Sequence, residues 1–83
     1  MAQHNRTKDE TYILCLYEEA EKTGELDTPF DRYQIGKLAN LNERGVDATC
    51  KLLIQANFIK KSSEQEVYLT PNGVRLAETL RLE

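Results

Sequence analysis

The chain has 83 residues, 40% hydrophobic and 30% charged, with a formal net charge of −3. This makes one domain, too apolar for a disordered segment, and no run approaches the roughly 18 apolar residues of a membrane helix. The acidic total argues against a nucleic-acid partner, but the charge is uneven: residues 1–30 sum to −4, residues 31–61 to +3 and residues 62–83 to −2.

The first residues, "MAQHNRTKDE", are polar, mixed in charge and lack an apolar stretch. They are expected to be a flexible tail over 1–7 rather than a secretory signal, in a cytoplasmic protein. Residues 8–83 then form the single domain. Thr7 with Glu10 reads as a capping box. Behind it, Ile13, Leu16, Tyr17 and Ala20 recur at helical spacing, Glu18 and Lys22 are placed for an i, i+4 pair, and Gly24 supplies a left-handed stop. A first helix over about Lys8 to Thr23 follows. "ELDTPF" reads as a loop. Asp31 caps a short second helix, Arg32 to Ala39, with Gln34 completing a box and Phe30 and Ile35 spaced as a hydrophobic staple.

Asn40-Leu41-Asn42 reads as a tight turn, with Asn40 suited to a left-handed backbone and Asn42 to capping. The third helix spans about Glu43 to Ala56. After Asn57 the period changes, and "FIKK" and "EVYLT" read as a two-stranded hairpin around the polar "SSEQ". Thr70-Pro71 opens a last helix whose inner face is Val74, Ala77 and Leu80, with Leu76 beside it.

At about 100° per residue, Val46, Cys50 and Leu53 share one side of the third helix, with Ile54 at its edge. Arg44, Ala48, Lys51 and Gln55 centre the opposite side. Asp47 lies on a flank, and Glu43 sits in the first turn, where it complements the helix dipole. Cys15 and Cys50 stand alone in apolar helical patterns and read as buried thiols acting as small hydrophobes. No disulfide is expected in a reducing compartment, and no metal site, because the lone histidine is His4.

Three stretches, "IGKLANLNERGVDATCKLL", "LLIQANFIKK" and "VYLTPNGVRLAETL", resemble the winged helix-turn-helix superfamily in the order and joints of their elements. The resemblance implies an α+β winged-helix fold: three helices, a two-stranded wing and a C-terminal helix. It also implies a small prokaryotic-type transcriptional regulator that binds double-stranded DNA with residues 43–56 in the major groove. Arg44 then reads a guanine edge, and Lys51 and Gln55 face the groove. Lys37, Lys60 and Lys61 meet the backbone, and Asn42 and Thr49 are phosphate donors if they are not spent on capping and packing.

Two features depart from this pattern. The wing tip "SSEQE" carries no base, and Leu52 falls on the outer half of the third helix. Arg44 and Lys51 also fit the plain reading of solvated surface charge. The alternative function is therefore a winged-helix module that contacts another protein at Leu52 and never binds DNA. A homodimer is expected under the DNA reading, through helix 1 (Tyr12, Tyr17) or the final helix (Leu76, Leu80, Leu82), although core packing explains those residues equally well. No cofactor is expected. No enzyme is expected either, since the sequence offers no nucleophile–histidine set, no paired carboxylates and no glycine-rich phosphate loop.

Overall fold

The computed structural model describes residues 6–82. Most of the expected N-terminal tail, residues 1–5, lies outside them. The element order is α1 (Lys8–Thr23), β1 (Phe30–Asp31), α2 (Arg32–Leu38), α3 (Glu43–Gln55), β2 (Ile59–Lys61), β3 (Glu66–Leu69) and α4 (Pro71–Leu82). Four helices and a three-stranded antiparallel sheet make a winged helix-turn-helix fold.

The sheet is one strand larger than the sequence suggests. Its order is β1-β3-β2, with Phe30 opposite Val67 on one side of β3 and Ile59 opposite Leu69 on the other. β1 is two residues long and owes its strand character to a partner some 36 positions away, so "ELDTPF" reads locally as a loop.

Local chemistry explains the helix boundaries. The Thr7 side chain accepts from Glu10 N–H, and the Glu10 carboxylate accepts from Thr7 N–H, closing the capping box at the start of α1. Gly24, at φ 88°, ends it. Lys22 pairs with Glu19 at 2.9 Å instead of the expected Glu18; three residues back is as close as four on a helix surface, and spacing alone does not choose between them. Asp31 accepts from the N–H groups of Tyr33 and Gln34. Among the described residues, the return bond from the Gln34 side chain is not made, so this is a simple cap.

α2 and α3 end alike. Asn40 and Asn57 both have φ 65°. In the first turn Leu41 N–H donates to Gly36 O and Asn40 N–H to Lys37 O; in the second, Phe58 N–H donates to Leu53 O and Asn57 N–H to Ile54 O. These are two Schellman motifs with asparagine in the left-handed seat. Asn42 then caps α3, its side chain accepting from Gly45 N–H at 2.8 Å. Thr70, which is buried, caps α4 by accepting from Gly73 N–H and donates its hydroxyl to Asn57 O at 2.6 Å, tying α4 to the exit of α3.

The core joins faces of all four helices to one side of the sheet: Tyr12, Ile13 and Leu16 from α1, Ile35 from α2, Val46, Cys50 and Leu53 from α3, Ala77 from α4, and Ile59, Val67 and Leu69 from the strands. Tyr12, Tyr17 and Leu80 belong to the chain's own interior, at 0%, 5% and 2% exposure. Of the two readings open for them, packing is therefore the one observed: α1 is the central helix, and α4 lies across it. Leu82 alone of the expected self-association residues is fully on the surface, with Leu76 half-buried. Cys50 is buried as expected, while Cys15 is only partly covered, and both thiols are free. No helix among the described residues is long and apolar enough to cross a membrane.

Candidate nucleic-acid interface

α3 presents its two sides as the helical wheel predicts. Val46, Cys50 and Leu53 are buried, and Arg44, Ala48, Lys51 and Gln55 are exposed. Thr49 is 5% exposed, so it packs with the interior side of α3 and leaves the set of phosphate donors. Asn42 spends its side-chain carbonyl on the cap and keeps only its amide N–H groups free for a ligand.

The Tyr33–Asp47 contact changes the electrostatics of this face. The Asp47 carboxylate, on the flank of α3, accepts the Tyr33 hydroxyl at 2.7 Å, and Arg32 Nη1 stands 3.9 Å away. The hydrogen bond to Asp47 pushes the Tyr33 hydroxyl above its ordinary range, because ionisation would set two anions side by side. Of the two acidic residues of α3, Asp47 is thus engaged within the protein, while Glu43 stays exposed in the first turn.

Arg32 is the joint of the site. Its backbone N–H donates to Gln65 O at 2.8 Å, and its guanidinium donates to Glu64 O, so the first residue of α2 holds the tip of the hairpin. Its carbonyl accepts the buried Tyr12 hydroxyl at 2.8 Å. Its side chain is mostly buried, and Nε is buried with no hydrogen-bond partner among the described residues. In the sequence Arg32 is simply a base of the net-positive middle segment at the start of the second helix, and nothing local gives Tyr33 a role. Both act through contacts 14 to 33 positions distant, which local spacing does not encode.

Lys37 is exposed and lies one turn beyond Tyr33 on α2; residues four apart share a helix face, so Lys37 stands beside the flank of α3 that Tyr33 touches. Lys60 and Lys61 are both exposed but do not act as a pair. Successive strand residues point to opposite sides of a sheet. Lys61 shares the side of Ile59, towards the helices, whereas Lys60 points to the outer side with its cross-strand partner Tyr68. Among the described residues, none of Lys37, Arg44, Lys51, Lys60 and Lys61 enters an ion pair. The hairpin tip carries exposed Glu64 and Glu66, and Leu52 is 54% exposed on α3. No group of three or more potential metal ligands occurs among the described residues.

No protein-family model matches the chain, and the curated proteins searched give no match. Among solved structures, the protein F-93 of SSV1 is similar in fold, with a TM-score of 0.71 over 96% of this chain and 84% of that one, at 21% sequence identity. At that identity the likeness speaks for the fold alone.

Proposed function

We propose that the chain is a double-stranded-DNA-binding protein, a transcriptional regulator by function, that lays α3 in the major groove. The observation carrying this reading is the exposed row Arg44, Lys51 and Gln55, in no ion pair among the described residues and flanked by an aspartate that Tyr33 and Arg32 already engage. Arg44 has the fork geometry to read a guanine edge, and Lys51 and Gln55 lie about two and three turns further along the same face. Lys37, Lys61 and the Asn42 amide hold backbone phosphates and fix the register. A domain of this size makes few phosphate contacts, and two copies on paired half-sites would multiply them.

Duplex affinity measured against salt tests the reading. The logarithm of the binding constant should fall linearly with that of salt concentration, with a slope of about −0.9 per phosphate neutralised. Arg44→Ala should relax sequence preference, and Lys61→Ala should weaken all sequences alike. Lys60→Ala should matter less than Lys61→Ala, because Lys60 is on the far side of the hairpin. Failure to retain any duplex at low salt and micromolar protein would end the DNA reading.

A second reading is favoured by one observation: Leu52 is half exposed in the middle of α3. It makes this helix a protein-contact surface. Leu52→Glu, with folding unchanged and duplex binding intact, would leave that reading without its anchor if a co-purifying partner stayed bound.

A further inference from the structure

On the outer face of the sheet lies a groove that the DNA reading does not use. It is a cavity of about 530 Å³ between the loop after α1, the turn after α3, the outward side chains of β2 and β3, and the first turn of α4. Leu26, Val74 and the ring of Tyr68 give it an apolar lining, and Asp27, Asn57 and Lys60 stand around it. Among the described residues, Asp27 and Lys60 form no ion pair with each other or with any other group, and the Tyr68 hydroxyl makes no hydrogen bond.

The walls are fixed before any ligand arrives. The Thr23 and Thr28 hydroxyls meet at 2.7 Å, Thr28 Oγ1 donates to Glu25 O, and Glu25 N–H donates to Thr23 Oγ1. The loop carrying Leu26 and Asp27 is thereby clasped at both ends. Across the groove, the Thr70 hydroxyl holds the carbonyl of Asn57. Preformed walls lower the ordering cost that a small ligand would otherwise have to offset.

From this arrangement we infer that the groove binds a free apolar or aromatic α-amino acid, with its carboxylate on Lys60, its ammonium on Asp27 and its side chain against Leu26, Val74 and Tyr68. The charges select the class. A simple anion would meet repulsion from Asp27, and a simple cation repulsion from Lys60. An uncharged apolar molecule would cover the lining but leave both exposed charges unpaired, gaining nothing from them. A zwitterion with an apolar body satisfies the lining and both charges together.

The test is an NMR titration of the ¹⁵N-labelled full chain, without DNA, so that its outcome is independent of the DNA reading. The probes are phenylalanine and leucine, with hydrocinnamate (no amine) and phenethylamine (no carboxylate) as partial analogues. The two amino acids should give saturable shifts at the amides of Leu26, Asp27, Asn57, Tyr68 and Val74, and each analogue should bind about tenfold more weakly or worse. Lys60→Ala and Asp27→Asn, both at exposed positions, should leave the rest of the spectrum unchanged and each weaken binding by about ten- to a hundredfold. The inference is overturned if no saturable shift appears up to the solubility limit, if either analogue matches the amino acids, or if the two variants bind as the parent does.

Discussion

At Gly36 the two helices of the helix-turn-helix come so close that Val46 occupies the place of a Cβ. A Cβ built there would overlap Val46 Cγ2, and at Gly73 a Cβ would overlap the carbonyl of Phe58. Neither glycine has a positive φ, so both are present for proximity rather than for backbone freedom. Gly36→Ala can be met by a shift of the Val46 side chain, whereas Gly73→Ala runs into backbone and has nowhere to go. We expect Gly36→Ala to cost about 1–3 kcal/mol, as overpacked cores do, and Gly73→Ala to cost more. Urea unfolding followed by circular dichroism measures both, and equal costs would mean that the α4 contact is softer than drawn. The cysteines offer a second residue-scale prediction. Burial pushes both thiols up, with Glu18 and Glu19 adding to the effect at Cys15, while at Cys50 the Tyr12 hydrogen bond and Arg32 pull partly back. Cys50 has no exposed surface and Cys15 has some, so a thiol reagent near neutral pH should label Cys15 slowly and Cys50 only on unfolding. Mass spectrometry after timed labelling gives the order, and early modification of Cys50 would contradict the burial.

At the scale of elements, the two Schellman turns make the same demand on two different asparagines. A left-handed backbone costs most residues about 1–2 kcal/mol, less for asparagine and nothing for glycine. Asn57→Gly should therefore leave stability unchanged or slightly raised, while Asn57→Ala should lose about 1 kcal/mol, in the same unfolding assay. The turn at Asn40 and the caps at Thr7, Asn42 and Thr70 were legible in the sequence because each is a local bargain between a side chain and a backbone group three or so residues away. The outward row of Arg44, Lys51 and Gln55 was legible for the same reason, since helical period alone separates it from Val46, Cys50 and Leu53. What escaped was long-range. β1 exists only because β3 pairs with it. Tyr33 reaches Asp47 only once α2 and α3 are docked, and Arg32 reaches the hairpin tip only once the wing has folded back. The division of Lys60 from Lys61 follows from strand alternation, but it becomes visible only when register shows that Ile59 points inward.

For the molecule as a whole, the interior sets a limit on the alkaline side. The Tyr12 phenol is wholly buried, and burial, first of all, raises it far above its ordinary range; the facing Cys50 thiol adds to this, Arg32 pulls it back and Asp31 pushes it up slightly. The folded chain therefore keeps a proton that the unfolded chain gives up near pH 10. Below that pH both states hold the proton, and the contribution to stability is full and constant. Above it the unfolded state binds fewer protons than the native one, so stability falls with rising pH, by up to about 1.4 kcal/mol per pH unit for one such group. Cys50 acts in the same direction but begins earlier, since an unfolded thiol ionises near pH 8.5. Stability against urea should therefore hold level from neutral pH to about 8.5 as far as these groups are concerned, decline gently, and then steepen beyond about pH 10. Cys50→Ala should reduce the early decline, leaving the share of Cys15, whose thiol is also raised, at the cost of a small cavity. Tyr12→Phe should reduce the late one, to which Tyr33 also contributes, while losing about 1–2 kcal/mol at neutral pH, because the partly buried carbonyl of Arg32 loses this donor. That carbonyl belongs to the residue holding the hairpin tip, so the same variant should speed exchange of the Arg32 amide, whose N–H donates to Gln65 O, more than that of amides in α4. Equal loss of protection in both places would show that Tyr12 stabilises the fold generally and has no particular hold on the wing.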